Sequence, residues 1–212
     1  MGYDSKDLSK VKSVKWGSDN EDKAKDLYVR IKSEDHEGFA CRHSGFLIDE
    51  NRPYIGPSAD GKGTCNCCKP RVLEIKCPYK YKDVDPMEAA RLDSTFCLDK
   101  DGNLKKTHQY YTQLQLEIHV NHLFGVEFGD LCVYTNNCIH IVECIKYDND
   151  YVDQLLGKCD SFFHSYLLPK ILTRSLDKID SESEIDKEGS AQPLLCICNK
   201  PAFGKMIECE NV

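Results

Sequence analysis

Asp60, Glu74 and Lys76 are the residues whose types and spacing point most directly to chemistry. Asp60 stands beside a glycine at the end of one apolar run. Glu74, Ile75 and Lys76 lie inside the next. In an extended strand side chains alternate faces, so Val72, Glu74 and Lys76 point one way and Leu73, Ile75 and Cys77 the other. The second set is apolar and faces the core on this reading. The first places a carboxylate and an ammonium on one side, and such charges among apolar residues are costly unless paired or bound to metal. If the strand ending near Asp60 lies beside this one, two carboxylates and a lysine converge. Hard carboxylate oxygens suit Mg²⁺, which takes one or two carboxylates plus substrate phosphates. A bound cation activates water and offsets charge at phosphorus, so the chemistry indicated is phosphodiester hydrolysis. Lys76 would orient the water or offset phosphate charge. On strand statistics alone, a surface Glu–Lys pair reads the same way.

Other polar residues sit where burial makes them notable. Glu21 falls on the stripe of Ala24, Leu27, Tyr28 and Ile31 in a helix expected over 19–32, capped by Asp19 or Asn20. As a first-turn acid it needs no function. The stretch His108–Leu123 lacks Gly and Pro and carries two apolar stripes, so it reads as a mostly buried helix. Tyr110, Gln113 and Glu117 share its remaining face, which must meet something polar. His108, His119 and His122 lack an acid or cysteine to complete a metal set and read as ordinary surface or core histidines. The loop Cys65-Asn66-Cys67-Cys68 lacks a second pair of ligands at zinc-site distance, so it is expected to be metal-free.

Two words carry a resemblance. Asp60 followed by Glu74-Ile75-Lys76 resembles the D…(D/E)-x-K signature of restriction-endonuclease-like nucleases. Gly56-Pro57-Ser58-Ala59-Asp60-Gly61 and Leu73-Glu74-Ile75-Lys76-Cys77-Pro78 resemble the YqaJ viral-recombinase family, which includes the phage lambda exonuclease. Trp16-Gly17 with Glu21-x-x-Ala24, and Tyr110-x-x-Gln113-x-Gln115, resemble further motifs of these families. The likeness runs from about Trp16 to Leu172. It implies a Mg²⁺- or Mn²⁺-dependent 5′–3′ exonuclease on duplex DNA ends, serving recombination or the replication of mobile DNA. By that likeness Asp60 and Glu74 bind metal and Glu21 supports the metal shell. Lys76 and Gln113 position water and phosphate, and Tyr110 and Ser58 lie near the substrate. Relatives form ring-shaped trimers.

The elements that must position these residues are an α/β set: a mixed central sheet flanked by helices over 19–32, 108–123 and 149–168, in a restriction-endonuclease-like core. Strands are expected over Phe39–Glu50, Tyr54–Ile55, Leu131–Thr135 and Ile139–Tyr147, the last two as a hairpin around Asn136-Asn137. A short helix is expected over Met87–Leu92 and a long one over Asp148–Leu172, broken by Pro169.

At 212 residues, 41% hydrophobic and 30% charged, the composition is that of a soluble domain with additions. No run approaches a membrane span. No signal segment opens the chain, and Lys6 stands where myristoylation wants Ser or Thr. The 13 cysteines are therefore expected to be reduced and intracellular. Net charge −7 argues mildly against nucleic acid, but Lys62, Lys69, Arg71, Lys76, Lys80 and Lys82 cluster around the two acids and could hold a phosphate backbone.

Residues 1–172 are thus expected to form the nuclease domain, 173–193 an acidic, Ser-rich linker, and 194–212 the opening of a PHD-type zinc finger. Cys196, Cys198 and Cys209 would supply only part of its ligands, so zinc would bind there only if a longer chain completed the finger. A completed finger implies a nuclear protein contacting a histone tail. The chain reads as a fragment or a shortened gene product. The second hypothesis is a non-catalytic DNA- or chromatin-binding module on a nuclease fold. A third is a metallophosphoesterase acting on RNA.

Overall fold

The computed structural model describes residues 10–173, which fall into two compact units divided between Ser161 and Phe162. The linker and Cys196, Cys198 and Cys209 lie outside the described residues. Among the described residues no helix is long and apolar enough to cross a membrane.

In the first unit a five-stranded mixed sheet runs in the order β1 (Ala40–Arg42), β2 (Gly61–Thr64), β3 (Arg71–Lys76), β4 (Phe128–Tyr134) and β5 (Ile139–Lys146). Neighbours are antiparallel except β3 and β4, which are parallel. A parallel pair needs a crossover, and here it contains α2 (Pro86–Leu92) and α3 (Gln109–Asn121). Helix α1 (Lys12–Asp35) covers the opposite face of the sheet, and α4 (Asn149–Phe162) follows β5.

Strand β3 is central and buried along both faces, apart from half-buried Lys76. Its side chains sort as alternation requires. Leu73 and Ile75 pack with Ala24 and Tyr28 of α1, Phe39 and Cys132. Val72 packs with Leu114 and Ile118 of α3, Leu131 and Val133. Glu74 and Lys76 therefore face the α3 side.

A polar knot pins α1 to the sheet. Asp130, fully buried, accepts hydrogen bonds from Tyr28 Oη at 2.8 Å and Arg71 at 3.3 Å, with Lys32 Nζ 3.7 Å away. The backbone N–H of Cys144 donates to Asp130 at 2.8 Å, beside the irregularity in the β4–β5 register at Gly129 and Leu131. A buried carboxylate is tolerable here because cations and donors surround it.

Several elements depart from the sequence-based expectations. Helix α1 begins at Lys12, not at Asp19, and Val11 precedes it with no side-chain cap. Asn20 is instead buried within the helix, its Nδ2 donating to Trp16 O at 2.8 Å. The strand expected over Phe39–Glu50 shrinks to Ala40–Arg42, with one further bridge between Phe46 and Ser58. Helix α3 ends at Asn121 and closes through a 3-10 turn at Gly125, whose φ of 77° suits glycine. The long C-terminal helix is three pieces: α4, a π-helical turn over Phe163–Leu167, and α5 (Leu168–Leu172). Pro169 stands in the first turn of α5, where its missing N–H costs nothing.

Candidate active site

Register creates the acidic pocket. Gly61 pairs with Leu73 across β2 and β3, so Asp60, one residue earlier, falls opposite the Glu74-Ile75 step. Asp60 Oδ2 accepts the Ile75 backbone N–H at 2.6 Å. From α1, Lys25 Nζ donates to the Asp60 carbonyl at 2.5 Å.

Glu74 is only 2% exposed. Its Oε1 accepts from Lys76 Nζ at 2.9 Å and from Gln113 Nε2 at 2.7 Å. The same Gln113 amide donates to Glu117 Oε1 at 2.9 Å. Glu117 is one helical turn along and fully buried. The remaining oxygens, Glu74 Oε2 and Glu117 Oε2, are buried with no hydrogen-bond partner. Two orphaned carboxylate oxygens beside a third acid demand an occupant or a proton.

The electrostatics agree. Burial, then the Glu74 carboxylate, pushes Asp60 up to about 6. Burial, then Glu74, raises Glu117 far above the ordinary range of a glutamate. Glu21, half-buried on α1, is raised by burial and then by Asp60, which places it within electrostatic reach of the cluster. Lys76 shows the opposite balance. Burial disfavours its charge, but Glu74, Tyr110 and Asp60 outweigh that and hold the ammonium more firmly charged than usual. That balance suits Lys76 to donate rather than to accept a proton. Its Nζ lies over the Tyr110 ring, 4.7 Å from the centroid.

The structure thus brings Asp60, Glu74, Lys76, Gln113, Glu21 and Tyr110 together. Ser58 is exposed in its bridge to Phe46, and no contact among the described residues ties its hydroxyl to the acids. Glu117 belongs to the cluster but carried no role in the sequence reading. Its signal was there: it follows Gln113 by four residues, one turn along the same face. Gln115 bonds the β5 end instead, donating to Lys146 O and accepting the Asp148 N–H, both at 2.8 Å.

His108, His119 and His122 each bond within the fold. The His108 ring accepts the Tyr110 N–H at 3.2 Å and caps α3. His119 bonds Asp49 and Tyr147, and His122 bonds the Val126 carbonyl. The basic run does not form one open phosphate cradle. Arg71 is buried on Asp130, and Lys69, Lys80 and Lys82 pair with Glu127, Asp93 and Asp83. Lys62 lies over the Phe124 ring.

The sequence pattern of the YqaJ-like viral recombinase domain matches residues 2–123, which contain every residue of this cluster. The chain belongs to that family. The fold of this YqaJ-like chain is similar to that of an alkaline exonuclease, LHK-Exo, from Laribacter hongkongensis. The TM-score is 0.56 at 16% identity, over 79% of this chain and 76% of that one. The same exonuclease in complex with dAMP also matches, with TM-score 0.56 and 17% identity over 79% and 75% of the two chains. No curated protein matches the chain. The likeness is one of fold, helices on a mixed sheet.

The donor set fits a hard divalent cation. The oxygens are carboxylates, two of them buried without partners.

Proposed function

We propose that this chain is a metal-dependent deoxyribonuclease, an exonuclease working 5′–3′ from duplex ends. The observation that carries this reading is the pair of unpartnered buried oxygens on Glu74 and Glu117, set against Asp60 and the Lys76 ammonium that Glu74 holds at 2.9 Å. Asp60, Glu74 and Glu117 would hold Mg²⁺ or Mn²⁺, with Glu21 supporting from α1. The ion would supply a more acidic water and charge relief at phosphorus. Lys76 donates to a phosphate oxygen or to the attacking water, and holds Glu74 in place until substrate arrives. Gln113 fixes the rotamers of both glutamates by bonding one oxygen of each. Tyr110 shields the Lys76 ammonium, its ring also packed edge-on against His108.

Family membership supports recombination as the setting, and the dAMP complex of the related exonuclease fold supports DNA as substrate. The ring-shaped trimer of relatives is the assembly to test by light scattering. Nuclear localisation and a histone-tail contact would require a completed PHD-type finger using Cys196, Cys198 and Cys209.

The test is cleavage of end-labelled linear duplex and closed circular DNA, with and without Mg²⁺. Degradation of the linear form alone, only with metal, is the expected result. Glu74→Gln and Lys76→Ala should each lower the rate by about 10²–10³-fold, the cost of losing one charge-stabilising group. Binding of duplex without cleavage would select the scaffold reading. Equal cleavage of single-stranded RNA would select an RNA-directed enzyme.

A further inference from the structure

At the far end of the β2–β3 hairpin, three thiols and an imidazole meet. His36 follows α1 as its C-terminal cap residue, and Cys65, Cys67 and Cys68 lie in the turn between β2 and β3. The ligand atoms of all four residues lie within 4.8 Å of one another. His36 Nδ1 is 3.3 Å from Cys67 Sγ, 3.5 Å from Cys68 Sγ and 3.8 Å from Cys65 Sγ. Cys67 Sγ is 3.5 Å from Cys65 Sγ and 3.7 Å from Cys68 Sγ.

These lengths are the edges of a particular solid. A zinc ion bound tetrahedrally at about 2.3 Å to sulfur and about 2.05 Å to nitrogen sets its ligands about 3.8 Å apart, sulfur to sulfur, and about 3.6 Å, sulfur to nitrogen. Five of the six separations lie between 3.3 and 3.8 Å, close to those values, and the sixth is within 4.8 Å. They are far longer than a disulfide, about 2.05 Å, and the thiols are free.

The backbone is shaped for the approach. Ala40 pairs with Thr64 where β1 meets β2, which brings the segment after α1 alongside the cysteine turn. The Asn66 N–H donates to Glu37 O at 3.0 Å. Gly38 has φ +66°, and a Cβ there would stand 2.9 Å from the Asn66 amide. Glycine adopts that left-handed turn without strain and leaves room for the Asn66 amide.

We infer that His36, Cys65, Cys67 and Cys68 form a structural zinc site. Three thiolates and an imidazole select zinc over the hard cations that suit the carboxylate cluster, and four protein ligands leave no open position for catalysis. The ion joins the end of α1 to the turn between the strands that carry Asp60 and Glu74. It is a clamp on the hairpin rather than a second reaction centre. Cys67 and Cys68 are exposed, so a chelator can reach it.

The test is the zinc content of the full chain, read independently of cleavage. Cys196→Ser/Cys198→Ser/Cys209→Ser removes the tail thiols from the count. That chain should keep one zinc per molecule after dialysis, and further Cys67→Ser/Cys68→Ser substitution should abolish it. A second reading uses the tail-substituted chain with its ligands intact. Stripped and reloaded with Co²⁺, it should show the visible bands of tetrahedral cobalt and a thiolate charge-transfer band. A zinc-free tail-substituted chain, retention of zinc without Cys67 and Cys68, or a cobalt spectrum without thiolate bands would each overturn the assignment.

Discussion

Gln113 Nε2 donates to Glu74 Oε1 at 2.7 Å, and that bond crosses from helix α3 to strand β3. The same nitrogen reaches Glu117, so one amide sets the positions of two buried acids. Gln113→Ala should therefore act through the carboxylates rather than by direct loss of a substrate contact. We expect cleavage to fall by about 10–100-fold, mostly as weakened metal affinity. A Mg²⁺ titration of the rate checks this: the half-saturating concentration should rise, and excess Mg²⁺ should recover part of the loss.

Without metal, the acid cluster makes stability depend on pH in an unusual direction. Asp60 and Glu117 both have folded-state values raised above their unfolded ones. The folded chain then binds protons more tightly than the unfolded chain. That contribution is fully present below about pH 4 and is lost as pH rises through the folded values, from about 6 for Asp60 and higher for Glu117. In EDTA the melting temperature should fall between about pH 5 and pH 8. Mg²⁺ should restore more of it at the upper pH, because binding displaces protons. Glu117→Gln should flatten the metal-free profile. It should raise the melting temperature at about pH 8 by roughly 2–4 °C for each kcal/mol relieved.

Asp130 is the converse case, a buried acid already satisfied. Asp130→Ala leaves Arg71 buried without its carboxylate, while Lys32 keeps Glu143 at 2.8 Å. A loss of about 3–5 kcal/mol is expected. Tyr28→Phe removes one donor to that carboxylate and should cost about 1.5–3 kcal/mol. Urea unfolding with Mg²⁺ present measures both.

Gly61 sits between the acid cluster and β1. A Cβ there would lie 2.5 Å from Cys41 Sγ and 3.3 Å from Lys25 Cε. Gly61→Ala should displace the lysine that holds the Asp60 carbonyl. We expect a loss of about 1–3 kcal/mol, with a lower cleavage rate at saturating Mg²⁺. Restoring the space with Cys41→Ala should recover part of both.

The sequence alone determined the core of the site. Strand alternation separated Glu74 and Lys76 from Leu73 and Ile75, because a side-chain period of two is local geometry. The polar face of α3 was legible for the same reason, since helical spacing places Gln113 and Glu117 one turn apart. Tertiary structure decided which of those polar residues meet. Asp60 joins Glu74 only because β2 and β3 pair with Gly61 opposite Leu73. Glu117 joins them only because α3 packs on the Glu74 face of β3. His36 and Cys65 are 29 residues apart and meet only because the end of α1 returns beside the hairpin turn. The basic run looked like a phosphate cradle in the sequence, yet Arg71 turns inward to Asp130. Spacing along the chain fixes which face a residue occupies, but the partner across the gap is set by register and packing between distant segments.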